Sequence, residues 1–415
     1  MPLKLLLKWK RKLFHKVTKR KYFPLLCIGL SLVIIFPVFI PFRIVDLLFQ
    51  NRRGVPNYQC GGPKNPFLAE DILCQERKKF LPNFKNPCWY EFKGNRTYNR
   101  LRCLPYFHIF GVCKSGTTDL FFRLIQHPQI VPNRGLMSKE TWFWSWHRYG
   151  TDLKKRNVSV DPHQFLPLDH FIDFFQVPQI SKMKVSSNGS KYSDIITGHA
   201  DPMDFWDNTL WRFIPQNYKN DLEPTVTTPY LIRHVQPNIK LILLLREPVE
   251  RLYSQYYHLG FGTSPEDFHV DVSASMRYIE RCRGRDGLRS CLYNRSLLRD
   301  MPTPLYSSFY DVHIANWLDV FPRNQMFIVR TEDFSKDIRS HLLHLFKFLE
   351  VDDVSETLLN RMSQMSHRYK SVFKDKAGPM LNRTRRMLRD YFREPMRRLS
   401  HLLNDQKYTW ADVYG

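Results

Sequence analysis

One stretch of the chain stands apart in its pattern of apolar and polar positions. Tyr22–Phe42 (YFPLLCIGLSLVIIFPVFIPF) runs 21 residues without a charge, and as a helix it would reach roughly 30 Å, the thickness of a hydrocarbon core. Residues 43–103 show little period and are rich in Pro, Asn, Lys and Cys, which reads as a stem. From Tyr106 onward short apolar runs alternate with helical stretches, the signature of βαβ units around a mostly parallel sheet. The runs predict strands at Tyr106–Gly111, Asp194–Gly198, Lys240–Leu245 and Gln325–Arg330. Helices are predicted near Thr117–Gln126, Val249–His258, Glu266–Arg281, Ser307–Val320, Ser335–Leu349 and Arg383–Leu403. The predicted fold class is therefore α/β: a P-loop-like central parallel sheet flanked by helices, preceded by an N-terminal transmembrane helix.

Charge orients that helix. Residues 1–21 carry nine Lys or Arg and no acid, so the positive-inside rule keeps them cytosolic and sends the rest across, a type II signal anchor. A cleaved signal peptide is the competing reading, but the apolar run exceeds the usual 7 to 15 residue core and no small-residue cleavage site follows it. The expected organisation is a cytosolic tail (1–21), the anchor (22–42), a Cys-containing stem (43–103) and one lumenal catalytic domain (104–415). Removing the nine tail charges from the formal +24 leaves +15 on the remainder. A field of that sign concentrates polyanions, and behind a secretory membrane these are sulfated or uronic-acid glycans, with no nucleic acid; a basic surface kept for solubility is the alternative.

Of eight cysteines Cys27 lies in the apolar run, leaving seven. Cys113 is the expected free thiol. The other six allow three bridges whose partners spacing does not fix, with Cys282–Cys291 as the favoured local pair. No CxxC with His or Cys partners appears, and no metal is expected. Sequons at Asn95, Asn157, Asn188, Asn294 and Asn382 are consistent with a secretory route.

Chemistry concentrates at the ends of the predicted strands. After the first comes Gly111-Val-Cys-Lys114-Ser115-Gly116-Thr117-Thr118, leading into a helix. Small residues let backbone N–H groups turn toward an anion, the helix dipole favours negative charge there, and Lys114 adds a mobile cation; a tight turn with an incidental Lys is the bland reading. A Walker A loop places Lys after the second Gly, whereas here it precedes Gly116. The third strand ends in Arg246, opening Arg246-Glu-Pro-Val-Glu-Arg251-Leu-Tyr-Ser254. An Arg fork and a Ser hydroxyl two turns apart suit a phosphomonoester; for Arg246 the alternative is an ion pair with Glu250.

Lys114-Ser-Gly-Thr-Thr-Asp-Leu resembles the loop that binds the 5′-phosphosulfate in carbohydrate (Golgi) sulfotransferases, and Arg246-Glu-Pro-x-x-Arg-x-x-Ser254 resembles their 3′-phosphate element. The likeness extends over roughly residues 104–410. Stretches such as QPNIKLILLLREPVERLYSQYY, RSCLYN, WLDVFPRNQ, RTEDF and GPML are most similar to the N-acetylgalactosamine 4-sulfate 6-O-sulfotransferases of chondroitin and dermatan sulfate. The resemblance implies 3′-phosphoadenosine 5′-phosphosulfate as co-substrate, bound by Lys114, Ser115, Gly116, Thr117, Thr118, Arg246 and Ser254. It also implies a glycosaminoglycan acceptor and a Golgi location. In such enzymes the Glu of a Lys-Glu pair before an aromatic cluster is the proposed base, matched here by Lys139-Glu140-Thr-Trp142-Phe-Trp144. Glu140 and Lys114 are thus the expected catalytic residues, and Lys139, Trp142 and Trp144 the expected acceptor contacts; the alternatives are a salt bridge of Glu140 to Lys139 or Arg148, and tryptophans in a core.

Two departures from that pattern remain open. Relatives carry small residues where this chain has Gly198-His199-Ala-Asp201, so His199 and Asp201 either alter acceptor fit or are loop polar groups. The loop before Gly378-Pro-Met is SHRYKSVFKDKA, in which Arg368 and Lys370 either reach the donor or an acidic glycan, or are solvated. Two other functions fit less well: a catalytically silent glycan-binding membrane protein, and a metal-dependent phosphoryl-transfer enzyme.

Overall fold

The computed structural model describes residues 60, 65–92, 99–151, 162–218, 220–367 and 372–414, all within one compact unit, Arg53–Gly415. The predicted anchor Tyr22–Phe42, the sequons Asn95 and Asn157, and the candidate donor contacts Arg368 and Lys370 lie outside the described residues. Among the described residues no helix is long and apolar enough to cross a membrane.

Among the described residues there are nine strands. β1 (Cys88–Phe92) and β2 (Asn99–Cys103) pair antiparallel, and a small antiparallel pair joins β5 (Lys184–Val185) to β6 (Lys191–Tyr192). The central sheet is formed by β3 (Phe107–Gly111), β4 (Ile130–Val131), β7 (Ile196–His199), β8 (Lys240–Leu245) and β9 (Met326–Arg330). Its order is β4-β7-β3-β8-β9, every pair parallel. Helices of eight or more residues are α1 (Thr117–Leu124), α2 (Thr228–Val235), α3 (Pro248–His258), α4 (Pro265–Asp286), α5 (Tyr310–Leu318), α6 (Ile338–Leu349), α7 (Glu356–Gln364) and α8 (Asn382–Leu403).

The sheet is buried on both faces, which explains the unbroken apolar run KLILLL. Ile242 and Leu244 of β8 join Phe107 and Ile109 of β3 in one core, with α1 and α6 supplying Leu120, Leu124, Leu345 and Phe346. Leu241, Leu243 and Leu245 face the other core with Phe110, Trp317 and Phe392. After β3 the chain fills one side of the sheet with β4 and β7, then crosses β3 to lay down β8 and β9. That reversal opens a crevice at the strands' C-terminal ends, the usual ligand position in such sheets.

The four predicted strands are present with ends shifted by no more than two residues. The predicted helix Ser335–Leu349 is broken: Asp337 leaves helical geometry and caps α6, its side chain accepting from the Ser340 N–H. The hairpin strands β1 and β2 fall in a stretch where no period was legible, because Arg102 of β2 is buried and neutralised by Asp169, Asp173 and Glu91. Disulfides join Cys60–Cys74, Cys88–Cys103 and Cys282–Cys291, and Cys113 is free.

Candidate active site

The phosphate-loop geometry follows from two glycines. A Cβ on Gly111 would approach Leu243 Cδ1 and Phe205 Cβ to 2.7 Å each, so the strand can turn here only without a side chain. Gly116 caps α1 with φ 87 and offers no side-chain hydrogen bond to the first turn. The uncapped N–H groups and the positive end of the helix dipole are left for an external anion. At α3, by contrast, Glu247 accepts from the N–H groups of Val249 (2.9 Å) and Glu250 (2.7 Å) and satisfies that terminus internally. The α1 terminus is therefore open to an anion in this crevice, and the α3 terminus is not.

Lys114 sits at φ 68 beside that end. Burial lowers its ammonium from the ordinary value, and Arg246 adds to the effect. Arg246 follows β8 and donates through Nη1 to the Lys114 carbonyl at 3.2 Å, so the two motifs meet. Arg251, fully buried, ties the same loop down through the Cys113 carbonyl (3.4 Å), Gln255 (2.5 Å) and the Ser307 and Ser308 hydroxyls. Just after β9, Thr331 Oγ1 donates to the Ser115 carbonyl at 2.8 Å.

These elements line one cleft of about 1140 Å³, shared by Lys114, Gly116, Thr117, Thr118, Glu140, Trp142, Arg246 and Ser254. Ser115 does not line it; its side chain is buried under the loop. Nor do Lys139 and Trp144. Lys139 is buried beneath Glu140, and Trp144 packs in the core against Phe143 and Phe171 with ring centroids 5.2 and 5.1 Å away. The expected Trp142 does line the cleft, together with the aromatics Trp146, Trp206 and Tyr306. Trp142 and Trp146 stand edge to face at 5.7 Å, and the Trp146 indole donates to Asp207 at 2.7 Å.

Glu140 is held on both oxygens. Oε1 forms an ion pair with Lys139, and Oε2 accepts from the Trp142 indole at 2.7 Å. Each carboxylate oxygen keeps a second lone pair for an incoming hydroxyl. The salt bridge to Lys139 is present, and the Glu140 carboxylate lines the cleft. His258, at the end of α3, lines the same cleft, and burial and Lys114 hold its imidazole below the usual value.

Two further cations meet near Arg246. Glu250 pairs with Lys374 at 2.9 Å, Arg385 at 2.6 Å and Arg246 at 3.9 Å. Burial pushes the Glu250 carboxyl up, but Lys374 and Arg385 outweigh it and the net direction is down. Sequence reasoning missed Lys374 and Arg385, which sit more than 120 residues from Glu250 and have no local signal.

His199 and Asp201 do not line the cleft. His199 stacks on His108 of β3 with centroids 3.8 Å apart, and with Asp204 they place three possible metal-ligand atoms within 4.8 Å of one another. Parallel stacked imidazoles aim their in-plane lone pairs side by side, which does not converge on one ion. Burial drives the His108 pKa down to about 3 and that of Asp204 up to about 8, so their 3.3 Å contact is between neutral groups.

The cleft thus offers anion-binding groups in two places: the uncapped terminus of α1 with Lys114, and Arg246 with Ser254 and Lys374. Known proteins resemble this chain in sequence. The family model described as "Sulfotransferase domain" matches residues 106–390. Carbohydrate sulfotransferase 15 of Homo sapiens is 33% identical over 377 residues, 80% of this chain and 66% of that protein, so the chain spans just under two thirds of the length of this relative. Bifunctional heparan sulfate N-deacetylase/N-sulfotransferase 3 of Homo sapiens is 24% identical over 295 residues, 67% of this chain and 27% of that protein. Among solved structures, a sulfotransferase from Alicyclobacillus acidocaldarius aligns with TM-score 0.44 and 21% identity over 73% of this chain and 97% of that one. With the phosphate loop, the Arg element and the parallel sheet all inside the matched span, the chain belongs to the sulfotransferase family.

Proposed function

We propose that this protein transfers a sulfuryl group from 3′-phosphoadenosine 5′-phosphosulfate to a hydroxyl of a glycosaminoglycan. The observation that carries the reading is the 3.2 Å bond from Arg246 to the Lys114 carbonyl, which joins the two phosphate motifs in the cleft that Glu140 faces. The bound donor supplies an activated sulfuryl group and a phosphate leaving group. The N-terminal amides of α1 and Lys114 hold the leaving phosphate and offset the charge it gains. Arg246 and Ser254 hold the 3′-phosphate, which distinguishes the donor from ATP. Glu140 takes the proton from the acceptor hydroxyl, and Trp142, Trp146 and Trp206 give the sugar ring flat apolar faces.

The finer assignment is the 6-hydroxyl of N-acetylgalactosamine 4-sulfate in chondroitin or dermatan sulfate. It is supported by the motif resemblance and by similarity to a protein named carbohydrate sulfotransferase 15. The charge-free run Tyr22–Phe42 behind nine basic residues supports a type II anchor in the Golgi membrane, with residues 104–415 as the lumenal catalytic domain.

The test is transfer of radiolabelled sulfate from the donor to a panel of chondroitin, dermatan, keratan, heparan and desulfated chains. The proposal expects label in a chondroitin or dermatan acceptor. Label in none, with nucleotide binding intact, replaces it by a glycan-binding protein that kept the fold. Thermal stabilisation by ATP with magnesium, but not by adenosine 3′,5′-bisphosphate, replaces it by phosphoryl transfer.

A further inference from the structure

Behind Glu140 lies a carboxylate that never reaches the cleft. Asp201 follows β7 and is 1% exposed. It accepts from the Thr141 N–H at 2.9 Å, the Trp142 N–H at 3.2 Å and the Thr141 hydroxyl at 2.6 Å. Next to it, the Ala200 N–H donates to the Lys139 carbonyl at 2.8 Å. The end of β7 is in this way fastened to the whole 139–142 segment.

That segment needs fastening. Trp142 has φ 52, and Met137 and Ser138 just before it have φ 50 and 59. Such left-handed geometry is disfavoured for side-chain-bearing residues and persists where surroundings enforce it. The Trp142 indole held by this backbone donates to Glu140 Oε2 at 2.7 Å. Contact therefore runs from the Asp201 carboxylate, through the Trp142 backbone and indole, to the carboxylate facing the cleft.

We infer that Asp201 is a positioning residue for the base: in its ionised form it holds the Thr141–Trp142 turn, so that Trp142 and Lys139 fix the Glu140 carboxylate toward the acceptor hydroxyl. The inference rests on the proposed role of Glu140. It assigns Asp201 to turn geometry rather than to acceptor contact, since Asp201 does not line the cleft.

A pH dependence follows. The groups around Asp201 are Glu140 and Lys139 on the clamped segment, Asp204 in the loop after β7, His199 with Nε2 at 3.9 Å, and His108 on β3. Burial first, then Asp204 and Glu140, raise the Asp201 carboxyl to about 7 against the Thr141 hydrogen bond. Burial drives both histidines toward the neutral form, and His108 offsets the rise of Asp201 only as the smallest of its causes. Protonation replaces an acceptor by a donor facing donors, so turnover falls as pH drops through about 7.

The experiment compares wild type with Asp201→Asn and Thr141→Val, measuring kcat and KM from pH 5.5 to 9, together with stabilisation by adenosine 3′,5′-bisphosphate. Asp201→Asn should lower kcat by a factor on the order of 10², leave nucleotide stabilisation unchanged, and flatten the acid limb. Thr141→Val removes one donor to the ionised form and should move that limb to higher pH. Wild-type kcat and pH profile in Asp201→Asn overturn the inference, as does a kcat loss matched by an equal loss of nucleotide binding, which marks a merely structural residue. If Asp201→Asn does not fold, Thr141→Val decides: a shifted limb supports the inference and an unchanged one overturns it. Glu140→Gln, run alongside, separates the two levels. Normal turnover in that variant sinks the base reading itself, whereas an inactive Glu140→Gln beside a normal Asp201→Asn sinks only the positioning role.

Discussion

Replacing Arg246 with Ala separates the two jobs its guanidinium has. One nitrogen holds the Lys114 carbonyl at 3.2 Å, and the fork, 27% exposed, opens on the cleft beside Ser254. A hydrogen bond to a charged group contributes about 1.5–3 kcal/mol, so losing the contact to a 3′-phosphate weakens binding by roughly 10 to 150-fold. Glu250 at 3.9 Å already offsets part of the Arg246 charge, and Lys374 and Arg385 remain nearby, which places the expected loss at the lower end, about 10-fold. The assay is calorimetric titration of wild type and Arg246→Ala with adenosine 3′,5′-bisphosphate and, separately, with adenosine 5′-phosphosulfate, which lacks the 3′-phosphate. The loss should be larger for the bisphosphate than for the phosphosulfate, which keeps only the part that depends on the Lys114 loop. An equal loss for both ligands would mean that Arg246 acts only by shaping the Lys114 loop, and no loss for either would remove it from the site; either result refutes the reasoning.

Four further outcomes are expected. Glu140→Gln abolishes sulfate transfer while adenosine 3′,5′-bisphosphate still stabilises the protein; near-normal turnover contradicts the base role. Lys374→Ala weakens the bisphosphate several-fold and leaves adenosine 5′-phosphosulfate unaffected, read by the same titration. Gly111→Ala forces contacts of 2.7 Å with Leu243 and Phe205 and destabilises by about 1–3 kcal/mol in denaturant unfolding; wild-type stability contradicts the packing account. Asp204 keeps its proton up to about 8 when folded because burial disfavours its charge, but loses it near 4 when unfolded. The folded state then binds more protons between those values, and this contribution to stability shrinks as pH rises through the window. Asp204→Asn lacks the titration, so its melting temperature relative to wild type should climb from pH 5 to 8.5; a flat difference contradicts the assigned proton.

Much of the fold was legible because its signals are local. KLILLL is buried on both faces, and the phosphate loop and Arg element each lie within ten residues of a strand end. What the sequence hid depends on contacts made elsewhere. Of the aromatics after Glu140, spacing alone does not tell Trp142 and Trp146, which face the cleft, from Trp144, which is core; the left-handed turn at Trp142 decides. Lys374 reaches the cleft, and Arg385 comes to stand behind it, through ion pairs with Glu250 made from distant segments. Asp201, which the sequence left open between acceptor fit and a loop polar group, is buried off the cleft and bonded to the segment that carries Glu140.

The central claim is that one nucleotide bridges Lys114 and Arg246. A crystal structure of residues 53–415 with adenosine 3′,5′-bisphosphate tests it most directly. The account predicts the 5′-phosphate on the first-turn amides of α1 and the Lys114 ammonium, and the 3′-phosphate on Arg246 and Ser254. A nucleotide bound elsewhere, or with its 3′-phosphate away from Arg246, contradicts it.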